Sequence, residues 1–245
     1  MTPAARERLH VRLPLFAVSG AAWLLLAAQP HAMHGFTISS RITASAMMFA
    51  AMMLPLAGGP LRHVWDRSFA DRRWRALLLF AGVYAALWIA VGIALILVAG
   101  WIGAAESPLV MTAAVAAVAA WQFSPAKQYC LNRCHTRATL SAFGPEADLD
   151  VLRFGLTHGL WCIGSCFALM LLPMLFSRGH IPAMACMTLW LAGERLEKPL
   201  EPQWQLRGPA KTLRLITGQT RVWLQRVLSG GMPGHSALFP FRLRR

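Results

Sequence analysis

What most constrains this chain is a series of six apolar segments separated by short stretches rich in arginine. A hydrocarbon layer about 30 Å thick is crossed by roughly 20 mostly apolar helical residues, with a range of about 17 to 25. Leu13 to Ala28, Ile42 to Ala57, Ala76 to Gly103, Pro108 to Phe123, Phe154 to Phe176 and Ile181 to Ala192 approach that length, the second and sixth being short and Met-rich. With six crossings, all of the 24 Lys and Arg residues except Arg41 and Arg178 fall on one side. Basic residues in short loops mark the cytoplasmic face. Backbone amides in lipid must be satisfied within the segment, which selects helices for runs this long. The expected fold is all-α: a polytopic membrane helix bundle of about six transmembrane helices, N-in and C-in, over residues 1–200. Residues 201–245 form a basic cytoplasmic tail, and Leu206 to Leu228 suits either an amphipathic helix on the anionic leaflet or a solvated one.

Composition excludes several classes. The chain is 56% hydrophobic and 14% charged with a net charge of +14. Such a balance can signal nucleic-acid binding, but that needs basic residues on one soluble face with aromatics among them. Here the basic residues sit between apolar runs, so nucleic acid is not an expected partner. The first run reads as a retained span rather than a cleaved leader, because no small-residue cleavage site leads into a soluble domain. No phosphate-binding loop of the G-x-x-x-x-G-K-[ST] kind is present, which argues against ATP as a driving force. Gly82, Gly92, Gly155, Gly159 and Gly164 are expected to let helices approach closely. Trp23, Trp74, Trp101, Trp121 and Trp161 fall near the expected membrane boundaries.

The chemistry-bearing residues are sulfur and imidazole. In the fifth run His158, Cys162, Cys166, Met170 and Met174 recur at every fourth position, placing them on one slowly winding helix face. Cys130 and Cys134 form another i, i+4 pair at the inner end of the fourth run, with His135 beside the second. Met48 and Met52 share a face of the second run, and the sixth adds Met184, Cys186 and Met187. On the outer side His31, Met33 and His34 form a compact His-x-Met-His cluster. Thiolate, thioether and imidazole together favour copper(I). Zinc would take Cys and His but has little use for Met, so it is the weaker fit. The runs lack the Asp and Glu expected of a proton-coupled pump or a carboxylate-bridged di-iron oxidase. Met and Cys also serve as ordinary packing residues, so each pair has a plain structural reading beside the metal one. Disulfides compete poorly, because no cysteine lies in an expected outer loop.

Three stretches carry a family likeness: Ala46 to Pro55; Trp121-Gln122-Phe123-Ser124-Pro125-Ala126-Lys127-Gln128-Tyr129-Cys130-Leu131 with Cys134; and His158 to Met170. In that order they resemble the bacterial family of predicted metal-binding integral membrane proteins. The likeness covers roughly residues 20 to 200 and implies metal binding without establishing a reaction. It departs at Ser165, where the family commonly has a cysteine next to Cys166, at His135, where it has Arg, and at Ala185, where it has Asn.

The expected function is copper(I) binding, transfer or transport through Met, Cys and His ligands in a bacterial inner membrane. His31, Met33 and His34 would capture the ion, and Met48, Met52, Met170 and Met174 would relay it. His158, Cys162, Cys166, Cys130 and Cys134 would form the inner site. The expected partners are the lipid bilayer and a metallochaperone or larger membrane complex. A membrane copper oxidase, or an assembly factor for one, is the rival reading. A structural accessory subunit is the third. An enzymatic role is the less favoured.

Overall fold

A computed structural model of the chain describes residues 3–28, 37–141, 143–176, 179–206, 208, 217–218 and 220, with side chains from Leu13 onward. Among these residues the fold is helical throughout and has no strand. The α-helices are α1 (Pro3–Ala28), α2 (Ile38–Met48), α3 (Gly58–Arg67), α4 (Arg73–Ala104), α5 (Pro108–Phe123), α6 (Pro125–Arg133), α7 (Gly144–Met174) and α8 (His180–Leu196). His31, Met33, His34 and nearly all of the expected tail helix lie outside the described residues.

By length and composition, two helical segments can cross a membrane: Ala70–Ala104, which contains α4, and Gly144–Met174. The number rises to four if each of two bent pairs is one span, and Leu13–Ala28 is a shorter apolar helix. The expected sixth crossing, α8, has 17 residues and ends on Glu194, Arg195 and Leu196.

Both bends have local causes. After α2 the chain makes a π-helical turn over Phe49–Met53 and then meets Pro55. Proline has no N–H to return to the preceding turn, so a carbonyl there is left free. The Ala51 carbonyl instead accepts from Ser19 Oγ at 2.9 Å and from Trp23 Nε1 at 3.1 Å, both on α1. The axis turns by 50° at this break, and α1 is fastened to it. The second bend lies at Ser124, which precedes Pro125 and is extended, at φ −70° and ψ 143°. A residue before proline is driven out of the helical region. Ser124 Oγ then caps α6 by accepting from the Lys127 N–H at 3.1 Å. The 57° turn lays α6 across α7.

The longest helices, α4 and α7, make the most extensive interhelical contact. Gly155 makes this possible, since a Cβ there would stand 3.3 Å from the Phe80 carbonyl oxygen. At the loop end Asp148 of α7 pairs with Arg72 and, at 2.6 Å, with Arg75. Gly92 likewise admits Ser45 of α2, whose Oγ would lie 2.1 Å from an added Cβ. Gly82, expected to act in the same way, has nothing within 4 Å of its Cβ position.

Two residues read from sequence as loop charges are inside the protein. Lys127 is 2% exposed and pairs with Glu194 of α8, itself 1% exposed. Arg195 is half-buried, with its guanidinium beside the α7 thiols. The 57° bend sends α6 back over the bundle rather than into a loop, and α8 continues past the expected end of its run. Beyond α8 the chain is held on α6. Gln128 Nε2 donates to the Gln203 and Gln205 carbonyls at 2.7 Å, and Asn132 Nδ2 donates to that of Leu200 at 2.6 Å.

Candidate metal centre

The fourfold spacing on α7 becomes one buried face. His158 is 2% exposed, Cys162 0%, Cys166 1% and Met170 1%, while Met174, farther along, is half-buried. A helix turns 3.6 residues per cycle, so this stripe winds slowly and meets different neighbours along its length. His158 sits in an aromatic box, its ring 5.7 Å from Phe154, 6.0 Å from Tyr84 and 6.2 Å from Phe80 between centroids. Its Nε2 is buried without a hydrogen-bond partner. A polar atom so placed is costly unless something uses its lone pair or proton.

One turn on, the thiols meet three other helices. Tyr84 Oη of α4 lies 3.0 Å from Cys162 Sγ. Arg195 Nη2 of α8 donates to Cys162 Sγ at 2.8 Å and reaches Cys166 Sγ at 3.8 Å. Ser165 Oγ donates to the Cys162 carbonyl at 2.9 Å, which leaves its lone pairs facing Cys166 Sγ at 3.3 Å and Cys134 Sγ at 3.8 Å. Cys134 is buried at the end of α6. Cys130 is half-buried and lies over Gly164, where an added Cβ would come within 2.6 Å of its Sγ. Cys162, Cys166, Cys134 and Ser165 thus form one polar-soft cluster, with Cys130 at its edge. Among the described residues no three His, Cys, Asp or Glu side chains stand close enough to hold an ion between them.

The methionines are placed differently. Met48 and Met52 are fully buried, at 1% and 0% exposure, on the α2 side of the molecule. The Met48 methyl lies 3.4 Å from the Gly92 Cβ position. They share a continuous apolar core with Cys134, Cys162, Cys166, Met170 and Met184. Cys186 is exposed. His135, which could have activated Cys134, has both ring nitrogens at backbone carbonyls, 2.9 Å from Leu131 O and 3.1 Å from Arg195 O. It links α6 to α8.

Sequence reading did not single out Tyr84, Arg195 or the buried Lys127–Glu194 pair. Tyr84 did leave a signal, being one of two tyrosines and lying mid-run, where its hydroxyl needs a partner. Arg195 and Glu194 left none, because charges at the end of an apolar run ordinarily face water.

Buried thiols beside a guanidinium and a phenol, with an imidazole one turn away, suit a soft metal ion and offer hard cations little. Fold and site together define an all-helical protein with a buried thiol cluster. The chain belongs to the copper chaperone family PpoB2, whose model matches residues 43–214, and that membership points to copper handling. No curated protein and no solved structure matches the chain.

Proposed function

We propose that this protein binds copper(I) on the thiols of Cys162 and Cys166 and passes the ion to an acceptor, from within a membrane-embedded helical bundle. The observation that carries the reading is the convergence of these thiols with Cys134, Tyr84 and Arg195 in a chain of a copper chaperone family. His158, with its unpartnered Nε2 one turn before Cys162, and Cys134, which reaches Ser165, are the further donors. The buried thioethers of Met48, Met52 and Met170 and the half-buried one of Met174 supply weak, exchangeable ligands along an exit or arrival route. His31, Met33 and His34 are proposed as the capture site, and Cys130 as an edge ligand that receives or releases the ion.

A bacterial inner-membrane location, with six crossings and both termini inside, is part of the proposal. It is supported by the arginine-rich loops and by exposed apolar side chains such as Leu24, Leu78, Leu109 and Leu189, each at least 70% exposed. Residues 1–200 would then be the bundle and 201–245 the tail. The family's description favours delivery to an acceptor, such as a copper enzyme under assembly or a metallochaperone, over an oxidase activity of this chain.

Detergent-purified protein loaded with copper(I) tests this. The wild type should carry stoichiometric copper, and Cys162→Ser with Cys166→Ser should remove it while the helical circular dichroism is unchanged. Hydroxyls fill nearly the same space as thiols but are poor ligands for a soft ion. His158→Ala should weaken binding without abolishing it. Wild-type copper content in the double serine variant would reduce the cluster to core packing and end the proposal.

A further inference from the structure

We infer that Arg195 sets the charge selectivity of the thiol site, tuning it to a monovalent soft ion over divalent ones; the inference rests on the copper-binding reading above. Arg195 Nη2 reaches Cys162 Sγ at 2.8 Å and Cys166 Sγ at 3.8 Å. Its Nε is buried without a hydrogen-bond partner. No carboxylate pairs with it among the described residues. Its neighbour Glu194 is taken by Lys127 and by Trp190 Nε1, the latter at 2.9 Å. The guanidinium is therefore a positive charge without a carboxylate partner, placed against two cysteine sulfurs. Arginine stays protonated in proteins, so that charge is permanent.

Charge counting shows what this arrangement suits. When an ion binds, two S–H bonds break, their protons leave to solvent, and two metal–sulfur bonds form, with no electron transferred. Two thiolates and a monovalent ion carry one net negative charge, which Arg195 neutralises. Two thiolates and a divalent ion are neutral, so Arg195 gains no counter-charge from them. Burying net charge is costly, so the guanidinium favours copper(I) over zinc. Softness alone would not separate copper(I) from cadmium(II), but charge does. Arg195 acts on the ion through the thiolates, as a positioning and charge-matching residue. Tyr84 Oη, 3.0 Å from Cys162 Sγ, supplies a neutral hydrogen bond that does not distinguish the two valences.

The test uses the purified full-length chain with copper(I), silver(I), cadmium(II) and zinc(II) as probes. Relative affinities are read by competition, and occupancy of the thiols by near-ultraviolet thiolate-to-metal absorption. Arg195→Met should weaken copper(I) and silver(I) relative to cadmium(II), moving their affinity ratio on the order of a hundredfold, as one unit charge a few ångströms away should. Arg195→Lys should keep the wild-type preference. Arg195→Gln, closer in shape and polarity, should behave as Arg195→Met and replaces it if that variant does not fold. An unchanged ratio in a folded, metal-loaded Met or Gln variant overturns the inference and leaves copper binding standing. Loss of the preference in a folded Arg195→Lys variant overturns it too. Absence of a copper–thiolate band in the wild type ends the underlying reading instead.

Discussion

The Lys127–Glu194 pair yields the sharpest stability prediction. Lys127 Nζ donates to Glu194 Oε1 and Gln122 Oε1, and Trp190 Nε1 donates to the same Glu194 oxygen at 2.9 Å. Side-chain exposures of 2% and 1% remove both partners from water. At a hydrogen-bond separation of about 3 Å and an effective dielectric near 20, the attraction is roughly 5 kcal/mol. Desolvation costs several kcal/mol per ion, so the intact pair contributes little net stability. A survivor of single substitution carries its desolvation cost alone. Glu194→Leu should therefore destabilise the protein by about 3–5 kcal/mol, and Lys127→Met by the lower end of that range because Glu194 keeps the Trp190 N–H. The double variant should return to within about 1 kcal/mol of the wild type. At about 2–4 °C per kcal/mol for a chain of this size, each single variant should lose on the order of 10 °C in Tm. Thermal unfolding in one detergent, followed by tryptophan fluorescence, gives the four corners of the cycle. Because the pair ties α6 to α8, copper binding should fall in the singles and recover in the double. If the single effects simply add in the double variant, the pair is not coupled and this reasoning fails.

Ser165→Cys should tighten copper(I) binding, since it adds a fourth thiol to the cluster where Oγ now lies 3.3 Å from Cys166 Sγ and 3.8 Å from Cys134 Sγ. Losing the hydroxyl's bond to the Cys162 carbonyl should cost about 1 kcal/mol, and unchanged affinity in a chelator competition would count against the cluster. Gly164→Ala should destabilise by about 1 kcal/mol net, overpacking against Cys130 outweighing better helix propensity. Gly82→Ala, facing open space, should stabilise by up to about 1 kcal/mol; shifts of the same sign in Tm would refute the contrast. In intact cells and a background without native cysteines, an impermeant thiol reagent should label Glu106→Cys but not Arg137→Cys. Labelling at position 137 would sink the six-span arrangement.

The sequence by itself determined that the chain is helical, because apolar runs and proline punctuation are local properties of the backbone and its solvent. The sulfur stripe was equally legible: residues four apart share a helix face whatever surrounds it, and His158, Cys162, Cys166 and Met170 are indeed buried together along α7. Tertiary structure alone decided what stands opposite that stripe. The bend at Ser124–Pro125 carries Cys134 to Ser165 and Lys127 to Glu194, residues 31 and 67 positions apart. Arg195 meets Cys162 across 33 positions, and Tyr84 meets it across 78. Position along the chain made Arg195 a loop charge, and position in space sets its guanidinium beside the thiols. No local pattern encodes such a contact, because which faces of α4, α6, α7 and α8 touch depends on the bends and glycine contacts of the whole bundle.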